Sequence, residues 1–192
     1  MSLTDKNGRP PRILVFAGPN GSGKSTVTQH LPIVGSYVNA DEIKAMTGCT
    51  DLEAAQRAEA TRELLLAKRK DFTFETVLST PRNLELLRRA KEAGYQIEAV
   101  FVLTSDSSIN VERVRSRVAD GGHPVPEEKI ISRYERSLKN LLQLTQYADR
   151  TRVIDNTGES PELIFEVEGK KLRIYEGRYW TKKRILSLLS SE

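Results

Sequence analysis

Gly18-Pro19-Asn20-Gly21-Ser22-Gly23-Lys24-Ser25-Thr26 is the stretch of this chain whose residue types and spacing most directly imply chemistry. It satisfies G-x-x-x-x-G-K-[ST], in which a glycine-rich turn aims consecutive backbone N–H groups at a phosphate. Lys24 brings a mobile positive charge to the β- and γ-phosphates, and Ser25 supplies a hydroxyl to Mg²⁺. A helix that begins here turns the positive end of its dipole toward the same anion. The cosubstrates implied are ATP and Mg²⁺.

Other side chains could complete the chemistry. Asp41, in Val-Asn-Ala-Asp-Glu, could take a proton from an attacking hydroxyl, hold Mg²⁺ through water, or simply start a helix. Glu75, in Phe72-Thr-Phe-Glu-Thr76, ends an apolar run, so its charge must face solvent or a polar cleft. Thr76 and Ser79 add hydroxyls that suit a polar substrate, and for Ser79 helix capping is an equal alternative. Arg113 and Arg117 are four apart, and Arg133 and Arg136 three apart, with Gly121-Gly122-His123-Pro124-Val125-Pro126 between the pairs. Two arginine-bearing helices joined by a glycine-hinged loop would form a lid over ATP, because the guanidinium fork binds phosphate oxygens at two points. His123 reads as a hinge residue before a catalyst. Asn156, in Asp155-Asn-Thr-Gly158, is placed to contact adenine or only to turn the chain.

The elements that would position these groups alternate along the chain. Arg12–Ala17 reads as a buried parallel strand ahead of the glycine loop, and Val27–Leu31 continues the following helix until Pro32. Ser36–Asn39 is a short strand, and Thr50 with Glu53 forms a capping box that opens a helix to about Lys70. Phe72–Val77 is the third strand. Thr80 and Pro81 mark a helix with Leu84, Leu87 and Ala90 on one face, ended by Gly94. Ile97–Leu103 is the fourth strand, and Val111, Val114 and Val118 place a helix from about Asn110 to Ala119. A further helix runs from Glu127 to about Tyr147, carried inward by Ile130, Tyr134, Leu138 and Leu141, and Thr151–Ile154 is the fifth strand. Leu163–Glu168 and Lys171–Tyr175 read as a β-hairpin that stabilises a sheet edge, followed by a helix over Tyr179–Leu189.

Strands alternating with helices predict an α/β three-layer fold with a five-stranded, mostly parallel sheet, plus a C-terminal hairpin and helix. Ligands bind such sheets at the carboxyl ends of their strands. Asp41, Glu75, Thr104-Ser105-Asp106 and Asp155-Asn156 all fall there, so they should share one rim with the phosphate loop. We expect a single domain over 1–192, with a core at 12–156, a lid at about 107–136 and the C-terminal hairpin and helix at 162–190.

Composition bounds the reading. The chain has 192 residues, 30 basic and 26 acidic, for a net charge of +4. The charges are interleaved, so Lys68-Arg69-Lys70 and Lys182-Lys183-Arg184 read as solvated helix faces rather than nucleic-acid patches. One cysteine, Cys49, excludes an internal disulfide, and with two histidines no Cys/His zinc cluster is available. No segment approaches the length of a membrane span. The first ten residues lack the apolar core of a signal peptide, so a cytoplasmic location is expected.

The combination of Gly18–Thr26 with Asn39-Ala40-Asp41-Glu42, Phe74-Glu75-Thr76, Leu78-Ser79, Arg113-Val-x-x-Arg117-Val, Gly121-Gly122-His123-x-Val125-Pro126, Arg133-Tyr134 and Asp155-Asn156 resembles the zeta-toxin-related P-loop kinases of the compact chromosomal type. The resemblance spans about residues 12–156. It implies a sheet of the nucleoside-monophosphate-kinase type, with ATP and Mg²⁺ as cosubstrates. It also implies Asp41 as the base that activates a hydroxyl, Glu75 and Thr76 in the substrate pocket, and Arg117 and Arg133 on the phosphates. Zeta toxins phosphorylate a sugar hydroxyl of UDP-N-acetylglucosamine. An antitoxin partner belongs to that family pattern, but no residue of this chain indicates one.

The reading is therefore an ATP-dependent kinase whose acceptor is a small-molecule hydroxyl. Lys24, Asp41, Arg117 and Arg133 are its candidate catalytic residues, and Ser25 is the metal-side ligand. A polynucleotide or nucleoside kinase is the rival enzyme. A nucleotide-dependent ATPase switch is the rival class, disfavoured because Val100-Phe-Val-Leu-Thr-Ser-Asp106 presents no Asp-Glu pair at the end of its strand.

Overall fold

A computed structural model describes residues 8–122 and 124–190. His123 and the start of the segment read for a signal peptide lie outside the described residues. The first strand, β1 (Arg12–Ala17), is buried from Ile13 onward, as a parallel strand covered on both faces must be. It leads through the glycine loop into α1 (Lys24–Thr28). β2 (Ser36–Val38), α2 (Ala40–Thr47), α3 (Asp51–Ala67) and β3 (Phe72–Thr76) follow. Next come α4 (Arg82–Glu92), β4 (Gln96–Leu103), α5 (Ser107–Ala119), α6 (Glu127–Lys139), α7 (Leu141–Tyr147) and β5 (Arg150–Asp155). The last elements are β6 (Glu162–Glu168), β7 (Lys171–Ile174) and α8 (Lys182–Leu189).

The sheet runs in the order β2-β3-β1-β4-β5-β6-β7. The five strands from β2 to β5 pair in parallel, so their carboxyl ends share one rim. The hairpin does not stand apart: β6 pairs antiparallel with β5 and β7 with β6, extending the sheet to seven strands. Buried Glu166 on β6 ties it down by pairing with Arg150 on β5 and, at 3.0 Å, with Arg173 on β7.

Successive residues of β1 face opposite layers. Ile13, Val15 and Ala17 join Phe72, Phe74, Ile97 and Phe101 in the larger core, which also takes Trp180 and Ile185 of the C-terminal segment. Leu14 and Phe16 join Val100 and Val102 under Val27, Leu31 and Val34. Val111, Val114 and Ile130, with Val125 against them, form a separate cluster that binds α5 to α6. No helix among the described residues is long and apolar enough to cross a membrane.

Several helix bounds differ from the sequence reading: α3 ends at Ala67 rather than near Lys70, α8 starts at Lys182 rather than Tyr179, and three further differences have visible causes. α1 stops at Thr28, whose hydroxyl donates back to the Lys24 carbonyl at 3.0 Å; Pro32 then disfavours helical backbone at Leu31. α5 starts at Ser107 rather than near Asn110, because Asp106 caps it by accepting the Ser108 N–H at 2.8 Å. The helix expected from 127 to 147 divides into α6 and α7 at Asn140, whose side-chain amide donates to the Leu78 carbonyl at 2.8 Å.

Candidate active site at the phosphate loop

The loop between β1 and α1 is shaped by contacts that admit no side chain at Gly18, Gly21 or Gly23. Gly18 has a φ of 140°, and a Cβ there would stand 2.0 Å from the Val102 carbonyl oxygen. Gly23 has a φ of 78°, and its Cβ would meet Asn156 Nδ2 at 2.1 Å. Buried polar groups hold the loop from behind. The Gly18 N–H donates to the Thr76 carbonyl at 3.2 Å. The side-chain amide of Asn110 donates to the Asn20 carbonyl at 2.6 Å, and that of Asn156 to the Ser22 carbonyl at 2.9 Å. Thr104 Oγ1 bonds Asn110 Oδ1, which fixes the amide end that meets the loop.

Lys24 Nζ donates to the Gly18 and Pro19 carbonyls at 2.8 and 3.1 Å. It lies in a cleft of about 490 Å³ lined also by Ser25, Asp41, Glu75, Arg113 and Arg117. Burial lowers the pKa of Lys24 to about 8. Glu75 and Asp41 act against that shift, and Arg117 adds to it. A partly desolvated cation with two carboxylates near it is stabilised further when an anion arrives.

Glu75 is held in place. Tyr37 Oη donates to its Oε1 at 2.5 Å, and Asn39 Nδ2 donates to Tyr37 Oη at 3.2 Å. Burial and the bond to Glu75 both raise the Tyr37 pKa, so the phenol stays a donor. The same Asn39 caps α2, accepting the Asp41 N–H at 2.8 Å. Asp41 thus stands in the first turn of α2 and also faces the cleft. Thr76 lines the cleft, but its hydroxyl oxygen already accepts from the Leu78 N–H at 2.9 Å and from Asn83 Nδ2 at 2.8 Å.

A second cavity of about 770 Å³ adjoins the first; Asn20, Ala40, Asp41 and Arg117 line both. Arg133 and Lys129 line only the second. Arg113 lines only the first and donates to the Thr157 carbonyl at 3.5 Å. Arg136 is exposed and lines neither. Ser79 also lies outside both cavities. The remaining rim carboxylates are engaged locally: Asp106 caps α5, and buried Asp155 accepts the Thr157 N–H at 3.1 Å.

Among the described residues no group of three or more His, Cys, Asp and Glu side chains is assembled for a metal. The Ser25 hydroxyl with the Asp41 and Glu75 carboxylates in one cleft is nevertheless an all-oxygen donor set. That set fits Mg²⁺, which keeps several waters and takes one or two carboxylates plus substrate phosphates.

Sequence reasoning missed Tyr37 and Asn110. Asn110 carried a readable signal, a polar residue on the same helical face as Val111 and Val114. Tyr37 carried none, since its partner lies 38 residues away.

The family model described as Zeta toxin matches residues 2–163. An uncharacterized protein of Haemophilus influenzae is 26% identical over 129 residues, covering 64% of this chain and 92% of that protein. Among solved structures, AvrRxo1-ORF1:-ORF2 with ATP aligns at a TM-score of 0.73 and 15% identity, over 96% of this chain. The chain spans 65% of the length of that neighbour. A structure of the PezAT chromosomal toxin–antitoxin system of Streptococcus pneumoniae aligns at 0.54 and 12% identity, over 94% of this chain and 88% of that one. At these identities the two structures speak for the fold.

Proposed function

Since this chain belongs to the zeta toxin family, we propose that it is an ATP-dependent phosphotransferase that moves the γ-phosphoryl group to a hydroxyl of a small molecule. The observation that carries the reading is the position of Asp41, which shares one cleft with Lys24 and the phosphate loop and also lines the adjoining cavity. A carboxylate between a phosphate cradle and a second cavity is placed to receive a proton from an acceptor.

In this reading the β- and γ-phosphates lie against the loop and Lys24. The acceptor occupies the second cavity with its hydroxyl at Asp41. Its oxygen forms a bond to the γ-phosphorus while the bond from that phosphorus to the β–γ bridging oxygen breaks. ADP leaves with the electron pair, and the hydroxyl proton passes to the Asp41 carboxylate. Arg117, common to both cavities, stabilises the charge on the group in transfer through its guanidinium fork. Ser25, with the Asp41 and Glu75 carboxylates in the same cleft, would hold Mg²⁺, whose charge would offset that of the phosphates. Tyr37 and Asn39 keep Glu75 oriented. Residues 107–136 act as the lid, with their own small apolar cluster and a hinge at Gly121-Gly122.

The test is incubation of the protein with ATP and a metabolite extract, with products identified by mass spectrometry. UDP-N-acetylglucosamine is the first pure acceptor to try, on the family resemblance. We expect ATP consumption to require an acceptor and one metabolite to gain a phosphoryl group. Equal ATP turnover with no acceptor present would make the protein an ATPase and overturn the reading.

A further inference from the structure

The second cavity carries positive charge beyond what phosphoryl transfer from ATP needs. Lys129 and Arg133 stand one turn apart on α6, so helical spacing puts them on one face, and both line this cavity but not the cleft that holds Lys24. Arg133 Nη1 donates to Asn20 Oδ1 at 3.3 Å, a neutral acceptor. Among the described residues neither Lys129 nor Arg133 is drawn into an ion pair. Lys44, on the opposite wall, is by contrast held 2.7 Å from Asp51. Excess cationic charge in a concave site concentrates anions there. An arginine fork beside an ammonium suits a phosphate dianion, which offers oxygens to both. The described residues that line the cavity include no aromatic side chain, so none of them offers a nucleobase an aromatic face.

We infer that the acceptor is itself a phosphate ester, a compact hydroxyl compound recognised through its own phosphate by Lys129 and Arg133 and not through a base. This rests on the phosphotransferase reading. It assigns Arg133 to the acceptor, where the family resemblance assigns it to ATP. Asp41 and Arg117 at the junction of the cavities would meet the far, hydroxyl end of such a molecule.

Calorimetry on the full chain tests it. With the phosphate loop saturated by Mg²⁺ and the non-hydrolysable analogue AMPPNP, four probes are titrated: glycerol, glycerol 3-phosphate, uridine and uridine 5′-monophosphate. Each ester should bind at least about tenfold more tightly than its parent alcohol, the scale of a charge-assisted hydrogen bond. The two esters should agree within about twofold, because the base adds nothing. Lys129→Gln with Arg133→Gln should remove the ester preference while AMPPNP affinity stays within about twofold of wild type. Esters binding no better than their alcohols would overturn the inference. So would uridine monophosphate binding about tenfold more tightly than glycerol 3-phosphate, or a loss of AMPPNP affinity in the double variant equal to its loss of ester affinity. A wild-type chain that takes up no AMPPNP would overturn the nucleotide reading and the inference with it, and that failure is visible before any ester is added.

Discussion

Asn156 closes the back of the phosphate loop: its side-chain amide donates to the Ser22 carbonyl at 2.9 Å, in a space so narrow that a Cβ on Gly23 would lie 2.1 Å from the same nitrogen. The loop and the end of β5 are therefore built against each other. Asn156→Ala leaves a buried carbonyl unpaired. Stability should fall by about 1–3 kcal/mol, and AMPPNP affinity should fall with it, because the loop loses its rear support. Thermal melting and nucleotide titration check both. A variant that melts like wild type but no longer separates ATP from GTP would instead give Asn156 a role at the base.

Lys24 sets a pH dependence whose sign follows from its shift. Burial lowers its pKa to about 8 in the free protein, and phosphate anions beside it raise the pKa again. The nucleotide complex thus binds more protons than the free protein above that pH. ATP affinity should be nearly flat from pH 6.5 to 7.5 and should fall as pH rises through about 8, by up to about tenfold per pH unit. Lys24→Ala should bind weakly at every pH, with that slope abolished. Calorimetry at several pH values reads the difference.

The arginines divide by position. Arg117 lines both cavities, whereas Arg136 lines neither. Arg117→Lys keeps the charge but loses the fork, so kcat should drop at least about tenfold with ATP affinity little changed. Arg136→Lys should leave both constants at wild-type values. Equal effects from the two substitutions would remove the lid from the mechanism.

Tyr37→Phe removes the 2.5 Å bond to Glu75 and leaves the ring in place. If Glu75 must be held toward the cleft, kcat should fall roughly tenfold, the scale of a hydrogen bond to a charged group. Because the Tyr37 pKa is raised, the wild-type phenol does not titrate over the working range. The effect of the substitution should therefore be the same from pH 6 to 9, which steady-state kinetics can establish.

The sheet was readable from the sequence because its signals are local. Apolar runs, the Thr50–Glu53 capping box and the glycine loop each announce themselves within a few residues, and all five parallel strands lie within two residues of the expected bounds. Long-range partners were not readable. The break at Asn140 depends on Leu78, 62 residues earlier, and the support of Asn20 by Asn110 spans 90 residues. The same limit held at the candidate site. Residue types nominated Asp41, Glu75 and four arginines, but only packing puts Arg113 at the first cleft, Arg133 at the second, Arg117 at both and Arg136 at neither. Lys129 carried no signal, since an exposed lysine in a helix is ordinary.

Asp41 permits the sharpest test, because the structure gives it two settings at once. It lies in the first turn of α2, where a negative charge favours the helix dipole, and it faces both cavities. The cap itself is Asn39, which accepts the Asp41 N–H at 2.8 Å, so Asp41→Asn preserves the cap and removes only the charge. If Asp41 is the base, Mg²⁺·ATP affinity should hold and transfer should fall by ~10²–10⁴-fold. If it chiefly holds the metal, Mg²⁺ affinity should drop and excess Mg²⁺ should restore part of the rate. If it serves only the helix, the melting temperature should shift slightly and turnover should not change. We expect the first pattern, since the carboxylate stands where the two cavities join. Melting, Mg²⁺ dependence and turnover on this one variant separate the three outcomes, and a normal turnover number would take Asp41 out of the transfer step.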